Sequence, residues 1–361
     1  MELGNQNILF VVRTMGLGGT ENVVLQLCEI LSDKANKIIV CSSGGVHEKK
    51  LREMGIGHYA IADIASKNPM DMLKNYREIK SIIKKERITL VHAHHRMAAF
   101  YAELCAPKGV TKVANAHNTF TDKKKLTQFA YRDTRVIAVG ERVRENLTEH
   151  FGIPKERVCV IHNAVKPFDG RGMPVELLNK SRKEGNVLIG NVGRLSEQKG
   201  MQYFVEAAEI TAKSHPEARF IIVGDGEEKE RLQQSAAAKK LQEKVFFLGY
   251  RDDIQNVMSQ LDFIVLSSLW EGLPLTPIEA YSVGKTVVAT AVDGTPEIVR
   301  DNIDGFLVEP RNPVQLAERM IALIEHPEMR KSMEAQAAKR YQDEFSFEKL
   351  SRQYINFYEE L

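Results

Sequence analysis

The chain has 361 residues, 43% hydrophobic and 27% charged, the balance of a globular protein rather than a disordered one. Its length favours two domains of ordinary size, and no apolar run approaches the ~20 residues that a membrane-spanning helix needs. Net charge is only +2 but unevenly shared: residues 1–165 carry 25 Lys and Arg against 17 Asp and Glu, and residues 166–361 carry 25 against 31. The first half is therefore expected to meet something anionic.

The N-terminus "MELGNQNILFVV" enters a strand-like run at once, without a basic leader, so no secretory signal is expected. Cys28, Cys41, Cys105 and Cys159 show no CxxC spacing and read as small core residues of a reducing cytoplasm. In the first half "NILFVVRT", "NKIIVCSS", "ITLVHAH", "VTKVANAH", "TRVIAVG" and "ERVCVIHN" predict strands. Helical periodicity marks 20–33, 70–86, 95–106 and 140–150 between them. Residues 166–185 lose periodicity and gain Pro, Gly and charge, as a linker would.

The alternation then restarts. "NVLIGNVG", "ARFIIVG", "KVFFLG", "DFIVLSS", "KTVVAT" and "DGFLVE" predict strands, with helices at 199–214, 227–240 and 313–340. A last helix, 346–361, places Phe347, Leu350, Tyr354 and Phe357 on one face and is expected to pack back on the first domain. The pattern is α/β: two Rossmann-like, doubly wound domains, 1–165 and 186–345, joined by the linker 166–185. Ligands of such sheets bind at the C-terminal ends of the strands, so the site is expected in the cleft between the domains.

Several stretches carry chemistry, each with a plain alternative. "GLGGTE", Gly16 to Glu21, follows the first strand and opens the first helix, where backbone amides favour an anion; otherwise it is a tight turn. It lacks the third glycine of a dinucleotide fingerprint, which disfavours an NAD enzyme. Lys74, Arg77, Lys80, Lys84 and Arg87 recur at three- and four-residue steps in the segment 70–87, either to dock on an anionic membrane or as an ordinary solvated face. "HAHH", His92 to His95, could suggest zinc, but a polar strand end explains it without a metal.

In "GNVGRLSEQKG", Arg194 and Lys199 share one Gly-bounded loop; a guanidinium fork and an ammonium suit a diphosphate, although two surface charges would look the same. Asp252 and Asp253 of "RDDI" read as helix-starting carboxylates, and no metal site is expected. "EGLPLTPIEA" sets Glu271 and Glu279 around two prolines. Thr276 reads as an N-cap, with Pro277 at the first helical position and Glu279 closing a capping box. Gly272, Leu273 and Leu275 can turn amides toward an anion, and two carboxylates can accept hydrogen bonds from vicinal hydroxyls.

At this point the sequence resembles a known family. Glu271 through Glu279 is similar to the E-x7-E signature of the retaining glycosyltransferases of family four, which have the GT-B fold. "GGTE" at 18–21, Arg194, Lys199-Gly200, "VGDGE" at 223–227 and "DGTPEIV" at 293–299 match it in order, over essentially the whole chain. The resemblance implies that Glu271 contacts hydroxyls of the donor sugar and Glu279 the ribose. It implies that Arg194 and Lys199 hold the diphosphate, with Gly18 and Gly19 close to the phosphates. It places His117 beside the reacting sugar, and Tyr250 and Arg251 beside the base.

The expected reaction moves a hexose-type sugar from a nucleoside diphosphate, a UDP-sugar first among candidates, to a hydroxyl of a sugar or lipid-linked glycan, with retention. The donor is a substrate, so no cofactor, metal or nucleic-acid partner is expected. The expected setting is surface polysaccharide or glycolipid synthesis at the inner face of the cell membrane. Two rivals remain: a sugar-nucleotide 2-epimerase of the same fold, and a protein that binds sugar nucleotides without turnover.

Overall fold

Aliphatic runs with no polar face build strands buried on both sides, and two such sets appear in succession. The computed structural model describes residues 2–361. The first set is β1 (Asn7–Val12), β2 (Lys37–Ser42), β3 (Gly57–Ala60), β4 (Leu90–His94), β5 (Thr111–Ala116), β6 (Arg135–Ala138) and β7 (Val158–Val160). They form one sheet in the order β3-β2-β1-β4-β5-β6-β7, parallel throughout. The second set is β8 (Val187–Val192), β9 (Ala218–Val223), β10 (Val245–Gly249), β11 (Phe263–Leu266), β12 (Val287–Thr290) and β13 (Gly305–Val308). Its order, β10-β9-β8-β11-β12-β13, is again parallel throughout.

The chain divides into two units. One runs to Asn163 and includes Leu350–Leu361; the other is Ala164–Lys349. Each is an α/β, Rossmann-like unit, because a parallel neighbour requires a crossover and the crossovers are helices. In each sheet the strand order reverses once, between β1 and β4 in the first unit and between β8 and β11 in the second. Loops leaving the C-terminal ends of those pairs diverge and leave a crevice, the switch point at which such folds bind ligands.

The short edge strand β3, "GHYA", carries too few β-branched residues to announce itself, and the sequence pattern omits it. Residues 313–340 form two helices, Pro313–Glu325 and Pro327–Arg340, rather than one. Pro327 bars a helical conformation for His326, which takes ψ 71° instead. Within 166–185, Glu176–Lys183 is a helix of the second unit that buries Leu178; its four Lys, Arg and Glu side chains hide the pattern.

The helix Phe347–Glu359 contributes Tyr354 and Tyr358 to the first unit's interior. Tyr358 Oη lies 2.6 Å from His92 Nδ1, and Asn115 Nδ2 donates to Tyr354 Oη at 2.6 Å. Cys28, Cys41 and Cys105 are buried thiols, as core residues would be, and burial raises the thiol of each.

Candidate functional site

In the second unit, the loop after β8 carries the cations and the loop after β11 carries the first glutamate. Leu195, fully buried, anchors the basic loop: its N–H donates to Asp225 O at 3.0 Å, and Glu228 N–H donates to Leu195 O at 3.0 Å. Gly224 packs so closely that a Cβ would lie 1.9 Å from Gly193 O, which explains the glycine of "VGDGE". Gly200 takes φ +56°, where a Cβ would also meet Ser267 O at 2.2 Å. Only glycine combines that conformation with that approach. Arg194 is exposed on this loop, and Lys199 ends its last short turn.

Lys199 Nζ lies 2.6 Å from Glu271 Oε1, with the side chains 18% and 7% exposed. Ser268 Oγ donates to the same oxygen at 2.6 Å. The Glu271 N–H donates to Asp293 Oδ2 at 2.7 Å. Asp293 adopts φ +42°, unusual for a residue with a side chain, and such outliers gather where a loop is held for function. The next residue, Gly294, donates its N–H to Gly272 O at 3.0 Å, and a Cβ there would lie 2.2 Å from that oxygen. The "DGTPEIV" loop thus braces the Glu271 loop. Asp293 was visible in the sequence only as part of that motif, and Ser268 gave no signal at all.

The capping expectation at Thr276 is corrected. The helix is Leu275–Ser282, begun by an extended Pro274, and no side chain caps it. Pro277 occupies the third helical position, still among the residues whose N–H lacks a partner, so it is tolerated there. Thr276 is buried, and its hydroxyl donates to Val192 O at 3.4 Å, tying the helix to the end of β8. Glu279 then lies a full turn inside the helix, too far along for a capping box. Burial pushes its carboxyl up to about 7, against the opposing pull of the Lys199 ammonium.

Tyr250 and Arg251 follow β10, the edge strand. Tyr250 is 54% exposed. Arg251 is held by Asp253 through Nε–Oδ1 and Nη2–Oδ2 bonds of 2.7 Å each. This bidentate pair keeps the Asp253 carboxyl below its usual range. Asp253 does precede the helix Ile254–Ser259, but its side chain serves Arg251 and Asn256 rather than the helix amides. Gly224 N–H donates to Gly249 O at 2.8 Å, linking this loop to the basic one.

In the first unit, Gly18 precedes the helix Gly19–Leu31, and a Cβ on it would lie 2.4 Å from Glu21 Oε2. The missing side chain makes room for Glu21 to fold back, where Oε1 accepts from Thr14 Oγ1 at 2.5 Å. His117, just past β5, stacks on His94 with ring centroids 5.4 Å apart, and His117 Nε2 lies 3.2 Å from His94 Nδ1. Burial lowers both, His117 to about 4, so they are neutral at physiological pH. His92 is neutral too, lowered to about 3 by burial, and bonds Asn115 Oδ1 at 2.8 Å. His95 caps the helix Arg96–Cys105, its Nδ1 accepting from Met97 N–H at 3.2 Å. The four histidines thus divide between core packing, a cap and a pocket wall. Among the described residues no group of three or more His, Cys, Asp or Glu is placed to hold a metal ion.

The basic helix is Pro69–Lys85, and it spends Ile79, Ile82 and Ile83 on the core. At its N-terminal end Met70 stays 76% exposed, with Met72 and Leu73 beside it. No helix of the described residues is long and apolar enough to cross a membrane.

Comparison with known proteins gives this geometry a context. A model of Glycosyltransferase Family 4 matches residues 17–167, and a model of glycosyl transferases group 1 matches residues 176–340. The UDP-Gal:alpha-D-GlcNAc-diphosphoundecaprenol alpha-1,3-galactosyltransferase of Escherichia coli is 27% identical over 315 residues, 81% of each protein. The crystal structure of a glycosyltransferase from Rickettsia africae ESF-5 is similar with a TM-score of 0.85 at 26% identity, over 99% of this chain and 98% of that one. Anabaena Alr3699/HepE, crystallised with UDP-glucose, shares the fold with a TM-score of 0.85 at 22% identity, over 99% and 100% of the two chains. With one model on each unit and the same two-sheet architecture in its structural relatives, the chain belongs to the family-four glycosyltransferases of GT-B fold.

Proposed function

We propose that the protein moves a hexose-type sugar from a nucleoside diphosphate, UDP in the first instance, to an acceptor hydroxyl with retention of anomeric configuration. The observation that carries this reading is the pairing of Lys199 with Glu271 at the β8/β11 switch point, with Arg194 on the same loop and Glu279 one helix turn beyond. The E. coli relative, named for a UDP-sugar and a diphosphoundecaprenol-linked acceptor, supports the choice of base and of a lipid-linked acceptor.

In this mechanism the bond from the sugar's anomeric carbon to the β-phosphate oxygen breaks, and its electron pair leaves with the diphosphate. Arg194 and Lys199 meet the charge that develops there, already oriented. Glu271 and Glu279 accept hydrogen bonds from sugar and ribose hydroxyls, and amides at Gly272, Leu273 and Leu275 face the phosphates. The phosphate role proposed for Gly18 and Gly19 is a close approach of backbone without side chains, and Tyr250 and Arg251 flank the base. The acceptor oxygen bonds to the anomeric carbon on the face the phosphate leaves, and its proton passes to that phosphate. His117, neutral, donates or accepts one hydrogen bond beside the sugar. No metal or cofactor takes part.

Incubation with UDP-glucose, UDP-galactose and UDP-N-acetylglucosamine, alone and with octyl glycosides, tests the reading by NMR of the products. A glycoside retaining the donor's anomeric configuration supports it. An epimerised sugar from donor alone identifies an epimerase, and binding without turnover identifies a non-catalytic protein. For the acceptor's setting, Met70, Met72 and Leu73 beside Lys67 and Lys74 form an apolar tip with basic flanks, suited to an anionic lipid surface. Co-sedimentation with vesicles containing phosphatidylglycerol, lost in Met70→Glu/Leu73→Glu, tests that contact.

A further inference from the structure

In the second unit, every residue from Ser268 to Gly272 is tied at its backbone to a neighbouring loop. Thr290 Oγ1 donates to Ser268 O at 2.6 Å, Leu269 N–H to Gln198 O at 2.8 Å and Gln198 Nε2 to Trp270 O at 3.0 Å. Glu271 N–H donates to Asp293 Oδ2 at 2.7 Å, and Gly294 N–H to Gly272 O at 3.0 Å. Only the tie at Glu271 ends on a carboxylate, and bonds to a charged acceptor are the stronger kind. Asp293 makes it from φ +42°, a region that glycine enters freely and other residues pay to enter. A glycine would suit that backbone, and the adjacent Gly294 shows that small residues are used in this loop. What the position gains from aspartate is the acceptor.

The side chain of Glu271 is divided in its use. Lys199 Nζ and Ser268 Oγ both donate to Oε1, each at 2.6 Å. Oε2 has no partner among the described residues, yet it is not sealed from solvent. One acceptor oxygen is thus presented from a carboxylate held at its backbone and at its other oxygen. An acceptor fixed in one place meets a hydroxyl of one configuration and is left unpaired by the epimer, whereas a carboxylate free to turn could follow either. We propose that Asp293 is a positioning residue for the choice of donor sugar: by holding the Glu271 N–H it fixes Oε2, and the hydroxyl that Oε2 accepts from decides which sugar is transferred. This role rests on the glycosyltransferase reading and involves the second unit alone.

The test is the ratio of kcat/KM between the best and the next best of UDP-glucose, UDP-galactose and UDP-N-acetylglucosamine, measured on the full chain with octyl glycosides as acceptors. The parent should prefer one donor by about tenfold or more. Asp293→Gly suits the backbone and removes the acceptor. It should cut that ratio about threefold or more, yet keep UDP affinity in calorimetry within about twofold and the melting temperature within about 3 °C of the parent. Asp293→Ala, no more flexible than the parent, should flatten the preference equally at a lower melting temperature, which separates the lost acceptor from added mobility. Asp293→Asn can accept the same N–H and tolerates the same φ, so it should keep the ratio within about twofold. The role is overturned if the parent shows no preference, if Asp293→Gly or Asp293→Ala keeps the parent's ratio, if Asp293→Asn loses it, or if UDP affinity falls along with the preference. A parent that turns over none of the three donors overturns the reading of a UDP-sugar transferase, and this role with it.

Discussion

Lys199→Met removes the ammonium and keeps the aliphatic stem that runs along Gly193. Its consequence follows from the ion pair. At 2.6 Å and an effective dielectric of ~20, the gross attraction between Lys199 and Glu271 is about 6 kcal/mol, most of it offset by the desolvation of both groups. Removing one partner of a buried pair leaves the other charge stranded. Glu271 keeps the Ser268 hydroxyl, and Lys199 is partly in water, so the loss should fall at the lower end, roughly 2–4 kcal/mol. For a unit the size of Ala164–Lys349 that lowers its melting temperature by roughly 5–12 °C.

The chain's single tryptophan, Trp270, precedes Glu271 and accepts a hydrogen bond from Gln198 Nε2 at 3.0 Å, so its fluorescence follows this unit alone. Adding Glu271→Gln should recover at least half of the loss, because a stranded charge becomes a neutral amide beside Ser268. The double variant should still bind UDP at least tenfold more weakly than the parent. If Lys199→Met melts within 2 °C of the parent, or the double variant is no more stable than the single one, the account of this pair is wrong.

Three further outcomes follow. Burial raises the Glu279 carboxyl to about 7 from near 4.5, so folding favours its protonated form. That contribution to stability is full below the unfolded value and is lost as pH rises through 7. Ribose hydroxyls need the carboxylate, so UDP affinity should rise from pH 6 to 8; subtracting the profile of Glu279→Gln removes the nucleotide's own phosphate titration, and equal profiles would exclude Glu279 from the site. Gly224→Ala should push a Cβ into Gly193 O and displace the basic loop, weakening UDP binding in calorimetry more than any exposed-loop alanine; parent-like affinity would contradict the packing argument. Tyr358→Phe should leave buried His92 Nδ1 without its partner and destabilise the first unit by roughly 1–3 kcal/mol in urea unfolding followed by far-UV circular dichroism, while a change under 0.5 kcal/mol would show that the bond contributes little.

The strands were legible because parallel strands buried on both faces read as unbroken aliphatic runs, and all but the short edge strand β3 announced themselves. Arg194, Lys199 and Glu271 were legible as loop residues at strand ends. What the sequence could not display is that Lys199 grips Glu271: the partners are distant in the chain, and only the adjacency of β8 and β11 brings them together. Thr276 misled because its residue type favours a cap, whereas its hydroxyl found a strand carbonyl instead.

Calorimetric titration of the intact chain with UDP, GDP and ADP, repeated on Arg194→Ala, bears most directly on the central claim that the basic loop after β8 holds a nucleoside diphosphate. One of the three should bind with one-to-one stoichiometry and lose at least tenfold in affinity in the variant, which should melt like the parent. Binding of none of them, or equal affinity in Arg194→Ala, would contradict it.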